Sequence, residues 1–250
     1  MRADIYRSLR DAITKEEPAA LGTIIGGEPA GGQVLLTETG GVLSSLDDQT
    51  LADAIVPHLR SAIEDGGADS IDVEGRRVFI EAHLPSPHMI IVGAVHIAIP
   101  LVTIAEVMGY RTTVIDARGV FATDERFPHV EQLVEAWPDE ALPEMNLHSE
   151  VAAVILAHDE KFEDPALEIL LQSDVGYIGA IGSRKTSEAR RMRLKGRGFT
   201  DEQLDRIHGP VGLDLGGRSP AEIALSIMAE IVAVKHGKDP KQATAPAKSA

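Results

Sequence analysis

The chain has 250 residues, no cysteine, and 39 acidic against 24 basic side chains, a formal net charge of -15. That length holds one large α/β domain or such a domain with a smaller companion. The absence of Cys excludes disulfides, iron–sulfur clusters, thiolate zinc sites and thiol nucleophiles together. The acidic balance argues against nucleic acid or a membrane surface as main partner, since both need clustered Lys and Arg.

The N-terminus, "MRADIYRSLRDAITKEE", lacks the continuous apolar core and cleavage site of a secretory signal. No apolar run approaches the roughly 20 residues of a membrane span, so a cytoplasmic protein is expected. The glycine-rich stretch "ALGTIIGGEPAGGQVLLTETGGVLSSL" predicts short antiparallel strands near 21–25, 33–37 and 42–46. In "DDQTLADAIVPHLRSAIEDGG", Leu51, Ile55, His58, Leu59 and Ile63 fall at helical spacing, with an acidic first turn, a Gly stop and a bend expected at Pro57. "DSIDVEGRRVFIEAHL" alternates about Glu74-Gly75 as a hairpin does. Pro85 and Pro87 then punctuate the chain. They mark off a smaller N-terminal α+β domain, 1–86, from a second domain, 87–237, followed by a polar tail, 238–250, expected to be disordered.

From "HMIIVG" onward the pattern becomes strand, helix, strand: "HIAIPLVTIAEVMGY" as a helix, "RTTVID", "EVAAVILAHD" and "VGYIGAIGS" as buried strands, and a helix over 164–172. Near-continuous apolar strands alternating with helices predict α/β architecture, a Rossmann-like doubly wound parallel sheet covered on both faces. The last helix has the clearest start, with Ser219 as N-cap, Pro220 behind it, Glu222 completing a capping box and Gly237 as the stop. Its Ile223, Ile227, Ile231 and Val234 share one face.

In such a sheet ligands bind beyond the carboxyl ends of the strands. Those ends carry Gly93 and His96, Asp116 and Arg118, His158 and Asp159, and Gly182, Ser183 and Arg184. Gly93-Ala94-Val95-His96-Ile97-Ala98 matches the dinucleotide fingerprint G-x-G-x-x-G/A at its first and last places, while Val95 stands where a glycine would let a pyrophosphate approach. Pro100 adds that the helix starts late or kinks. Asp116 is either a ribose-binding carboxylate or a turn cap. His96 is either a ligand contact or a solvent-facing residue. His158 reads more readily as an ordinary loop residue. "GSRK" suits an anionic group, and equally a solvated helix start. The histidines show no metal spacing, and neither a nucleophile elbow nor a P-loop occurs.

Taken together, "IIVGAVHIAIPLVTIAEVMGYRTTVIDARGVFATDERFP", "AAVILAHDEKFEDPALEILL", "GYIGAIGSRKTSEARRMRLKGRGF" and "GPVGLDLGGRSPAEIALSIMAEIVA" resemble, in order and spacing, the C-terminal domain of the XdhC/CoxI family of xanthine dehydrogenase accessory factors. The resemblance implies a Rossmann domain and a role in insertion or sulfuration of the molybdenum cofactor (molybdopterin). It implies a molybdenum hydroxylase as client enzyme, and it is compatible with a homodimer. By the same resemblance Gly93, His96, Asp116, Arg118, Tyr177, Gly179, Gly182, Ser183, Arg184, Gly209, Pro210, Gly212 and Asp214 fall on family motifs, and Val95 departs from the Gly-x-Gly-His of the loop. The family's N-terminal Gly-Gly-Cys segment has its nearest counterpart in "GGVLSSLDD" from Gly40, without the Cys, so this chain supplies no thiolate to molybdenum. The leading expectation is a maturation factor that binds an anionic pterin or nucleotide cofactor. The alternatives are an NAD(P)-dependent oxidoreductase with His96 or Tyr177 as proton donor, and a degenerate Rossmann scaffold with a regulatory role.

Overall fold

The computed structural model describes residues 2–37 and 41–239. Gly40 and most of the expected tail, from residue 240 on, lie outside them. The chain forms two compact units, Met1–Ser86 and Pro87–Ala250.

The first unit begins with helix α1 (Ala3–Thr14), which puts Ile5, Leu9 and Ala12 on one buried stripe. Strands β1 (Ala19–Gly26), β2 (Gln33–Thr37) and β3 (Val42–Ser44) follow, then helix α2 (Gln49–Asp65) and the hairpin β4 (Ala68–Val73) and β5 (Arg76–His83). The sheet order is β3-β2-β1-β5-β4, antiparallel throughout. Alternate residues of β1 serve opposite faces: Ala20 and Ile24 join the core under α2, and Ala19 and Leu21 the core under α1. The hairpin turns at Glu74 and Gly75, both at positive φ (49° and 73°), as a two-residue hairpin loop requires. In α2 the acid expected inside the first turn is the N-cap instead: Asp48 accepts from the Leu51 amide, and the helix runs through Pro57 to Asp65.

The second unit contains β6 (His88–Val92), α3 (Ala98–Val107), β7 (Arg111–Ile115), β8 (Gln132–Val134), α4 (Pro138–Ala141) with a 3-10 turn at Leu142–Glu144, β9 (Val151–Ile155), α5 (Glu160–Leu170), β10 (Tyr177–Ala180), α6 (Arg184–Gly196), α7 (Asp201–Asp205), β11 (Ile207–His208) and α8 (Pro220–Lys235). Its six strands pair in parallel in the order β11-β10-β9-β6-β7-β8. Counted from β6 this is the doubly wound Rossmann order, with its switch point between β6 and β9. Met89 and Ile91 face the core shared with α3 and α8, whereas Ile90 and Val92 face the one shared with α5, α6 and α7.

Of the two outcomes that Pro100 allowed, the late start is the one found: α3 begins at Ala98, which leaves Pro100 in the first turn, where its missing N–H has no intrahelical partner to lose. A second helix start differs from expectation. The helix expected at 164 begins at Glu160, capped by Asp159, which accepts from the Lys161 amide. Pro165 sits inside it, and the carbonyl deprived of a donor belongs to exposed Lys161, which water can serve. The capping box of α8 forms as read, with Ser219 and Glu222 bonding each other's backbone amides.

Candidate functional site

The sequence-selected residues fall into two groups along the carboxyl edge of the second sheet. At the β6/β7 end Gly93 has φ 110°, and a Cβ there would come within 2.9 Å of the Ala157 amide nitrogen, so only glycine fits where the chain leaving β9 crosses. The Gly93 amide donates to Ile115 O (2.8 Å), the Ala94 amide to Asp116 Oδ2 (2.8 Å) and the Val95 amide to Gly93 O (2.9 Å). A phosphate loop aims such amides at its ligand; here they are used within the protein. Val95 packs half-buried against the α3/α8 core, and His96 is exposed.

Asp116 is fully buried and accepts from Ala94 N, from Arg118 N (3.0 Å), from Arg118 Nε (2.9 Å) and from Arg118 Nη2 (2.8 Å). A carboxylate offers about four lone-pair positions, and these contacts fill them. Burial works to raise the Asp116 carboxyl, but the hydrogen bonds from Arg118 and the two amides outweigh it and hold the group below the usual carboxylate range. The Arg118 guanidinium is fixed in turn between the rings of Phe121 (4.7 Å to the centroid) and Phe162 (5.3 Å), and Phe162 stacks on Trp137 at 4.4 Å. His158 is exposed, beside the cap of α5.

At the β10/β11 end Ser183 caps α6 by accepting from Thr186 N, Gly182 precedes it at φ 146°, and Arg184 is exposed at the first helical position. Gly179 is buried in β10 with Val211 and Tyr177 against it. A cavity of about 390 Å³ opens here, lined by Gly182, Arg184, Pro210, the loop from Val211 to Gly217, and Glu222, Ile223 and Ser226 of α8. Its volume lies within the roughly 300–1,000 Å³ usual for small-molecule sites. A smaller cavity of about 280 Å³ lies between α6 and β11 and shares Arg184 with it.

The wall formed by the loop is anchored from beneath. Glu230, 6% exposed on α8, accepts from the Tyr177 hydroxyl (2.6 Å) and the Gly212 amide (2.7 Å), while His208 Nδ1 lies 3.7 Å from its other oxygen and stacks on Tyr177. Burial pushes the Glu230 carboxyl up, and His208, Tyr177 and the Gly212 amide together pull it below its ordinary range. Burial, then the charge of Glu230 and its hydrogen bond, drives the Tyr177 phenol well above its usual value. Tyr177 is thus corrected from candidate proton donor to structural anchor: its hydroxyl is 2.6 Å from Glu230 and closed to a substrate.

Sequence reading missed Glu230 and the buried Arg190. Glu230 left a signal, because an acid among Ile223, Ile227 and Ile231 on an otherwise apolar stripe needs a buried partner. Arg190 left none, since α6 shows no apolar stripe at all.

Comparison with known proteins places this edge in a family. The XdhC Rossmann domain matches residues 89–231. The chain belongs to the XdhC family. A probable xanthine dehydrogenase subunit of Bacillus subtilis (strain 168) is 32% identical over 155 residues, 62% of this chain and 45% of that protein. The molybdenum cofactor insertion chaperone PaoD of Escherichia coli (strain K12) is 32% identical over 89 residues, 36% of this chain and 28% of that protein. The chain therefore spans less than half the length of these relatives. A solved structure of a xanthine dehydrogenase from Bacillus halodurans shares the fold at a TM-score of 0.55 and 19% identity over 98% of each chain. Among the described residues no helix is long and apolar enough to cross a membrane, and no group of His, Asp and Glu is arranged to hold a metal ion.

Proposed function

We propose that this XdhC-family chain is a maturation factor for a xanthine-dehydrogenase-type molybdoenzyme, and that it holds an anionic pterin cofactor at the β10/β11 end of its Rossmann sheet for delivery to that client. The observation that carries the placement is the cavity of about 390 Å³ under the 211–217 loop, which collects Gly182, Arg184 and Pro210 at the strand ends. The name of the related E. coli protein, a molybdenum cofactor insertion chaperone, supports the cargo. Gly93, Val95, His96, Asp116, Arg118 and His158 contribute on this reading by shaping the neighbouring edge, Gly179 by leaving room for Val211 of the cavity wall, and Ser183 by setting the start of α6. The chain has no cysteine, so it binds and delivers without offering a thiolate of its own.

A melting-temperature screen of the whole chain against molybdopterin, NAD(H) and NADP(H) tests the proposal. A ligand that binds only the folded form adds RT ln(1 + [L]/Kd) to stability, so molybdopterin is expected to raise Tm and the nicotinamide nucleotides are not. A response to NAD(H) or NADP(H) with none to molybdopterin would replace the delivery reading with a dehydrogenase one.

A further inference from the structure

Arg190 is 1% exposed, the largest fully buried side chain among the described residues. Its Nε and Nη2 donate to Glu163 at 2.7 and 2.9 Å, and Nη2 also reaches Ile181 O at 2.6 Å. Its Nη1 has no hydrogen-bond partner among the described residues. A buried guanidinium N–H left unpaired is costly and calls for an explanation, of which an absent ion is one.

The direction of Nη1 supplies that explanation. A Cβ on Gly209 would stand 3.1 Å from Nη1 and 2.9 Å from Ser187 Oγ, so this nitrogen faces the gap left by the missing side chain at 209. Gly209, Ser187 and Arg190 all line the cavity of about 280 Å³, together with Arg184, Glu188, Arg191, Leu204 and Ile207. Of its other charges, Arg191 is paired with Asp201 and Asp205, whereas Arg184 has no ion pair among the described residues and stands at the first position of α6, a 13-residue helix whose amino end attracts anions. Ser187 Oγ donates to Ser183 O at 3.1 Å and can turn its hydrogen toward a ligand. Among the described residues Glu188 is the one carboxylate on the lining.

We infer that this cavity is a subsite for a phosphate-type oxyanion, with Arg190 Nη1 as its buried donor, Arg184 as its exposed cation and Gly209 as the residue that leaves it room. The site does not depend on the pterin reading. Its chemistry fits free phosphate and the phosphate group of a larger ligand alike, since both present the same oxygens to the guanidinium groups.

Calorimetric titration of the full chain with inorganic phosphate, at constant ionic strength set with chloride, tests it. Saturable one-to-one binding is expected, with the Nε–H resonance of Arg190 shifting in step with saturation. Arg184→Gln should weaken binding about tenfold, and Gly209→Ala, which fills the gap, should abolish it; Ser187→Ala should weaken it severalfold without touching the Arg190–Glu163 pair. Arg218→Gln, an equal loss of charge outside both cavities, should leave it within twofold. A nucleoside monophosphate that binds at least tenfold tighter than phosphate assigns the subsite to a larger ligand, and equal affinities assign it to the free ion. Absence of saturable binding in the folded wild type overturns the inference, as does binding that all three lining variants leave intact or that leaves the Arg190 resonance unmoved.

Discussion

At one end of the Rossmann edge Asp116 receives four hydrogen bonds and the loop amides of Gly93, Ala94 and Val95 are all taken up internally. At the other end, among the described residues, Arg190 keeps an N–H without a partner and Arg184 is unpaired, and two cavities open, one between α6 and β11 and one between the 211–217 loop and α8. The first end carries the better-known sequence fingerprint, and the second carries the unmet hydrogen-bonding capacity. A motif therefore reports a strand-turn-helix geometry, which the β6 loop has, and says less about ligand capacity, which depends on whether the polar groups have been answered from within. Asp116 and Arg118 answer each other. Arg190 is answered on two of its three nitrogens.

The sharpest way to break the open end is Glu230→Ala. It removes the acceptor for the buried Tyr177 hydroxyl and for the Gly212 amide, leaving two donors without partners, at a cost of about 3 kcal/mol. Denaturant unfolding should show the loss, and molybdopterin binding should fall with it, because the loop walling the larger cavity is no longer tied down. Glu230→Gln keeps an acceptor oxygen and should recover much of both. A variant that unfolds at the wild-type midpoint would show that the anchor is not one.

The closed end is tested by Asp116→Asn, which exchanges charge-assisted bonds to Arg118 for neutral ones and costs about 2 kcal/mol. Its signature is in the pH dependence. Asp116 and Glu230 both have folded-state pKa values held below the ordinary carboxylate range. Their contribution is complete above the unfolded value, near about 4, and is lost as pH falls through the lowered folded value. Stability measured from pH 7 to pH 3 should thus decline in acid, and Asp116→Asn and Glu230→Gln should each flatten that decline. An acid limb as steep in both variants as in wild type would assign the decline to other carboxylates.

Much of this contrast was legible before the fold, and the rest was hidden for definite reasons. The caps of α8, the buried strands β6, β7, β9 and β10, and the turn at Glu74-Gly75 follow from local chemistry that each segment carries alone. Strands β8 and β11 are three and two residues long, too short for any periodicity to show. Helix α6 shows only its start in the sequence, because its inward side, Leu194 apart, is made of Arg190 and Arg193 meeting Glu163 and Asp164 of α5. A charged face buried against an opposite charged face leaves no apolar stripe to count. At the site, Asp116 was visible as a strand-end acid, but its saturation by Arg118 is a matter of side-chain geometry that spacing does not encode.

The smallest effect is expected at the residue where the fingerprint departs. Val95→Gly restores the G-x-G pattern, removes a half-buried side chain from the α3/α8 core and loosens the backbone, together costing about 1 kcal/mol. If the valine side chain were the obstacle, NAD(H) affinity would rise. The obstacle lies instead in the backbone: the Ala94 amide is held by Asp116 and the Val95 amide by the Gly93 carbonyl, and neither bond involves the isopropyl group. The variant is therefore expected to bind NAD(H) no better than wild type in a fluorescence titration. A tenfold gain would mean that the loop, once freed of Val95, turns those amides outward, and that the difference between the two ends of the sheet rests on one side chain rather than on the network around Asp116.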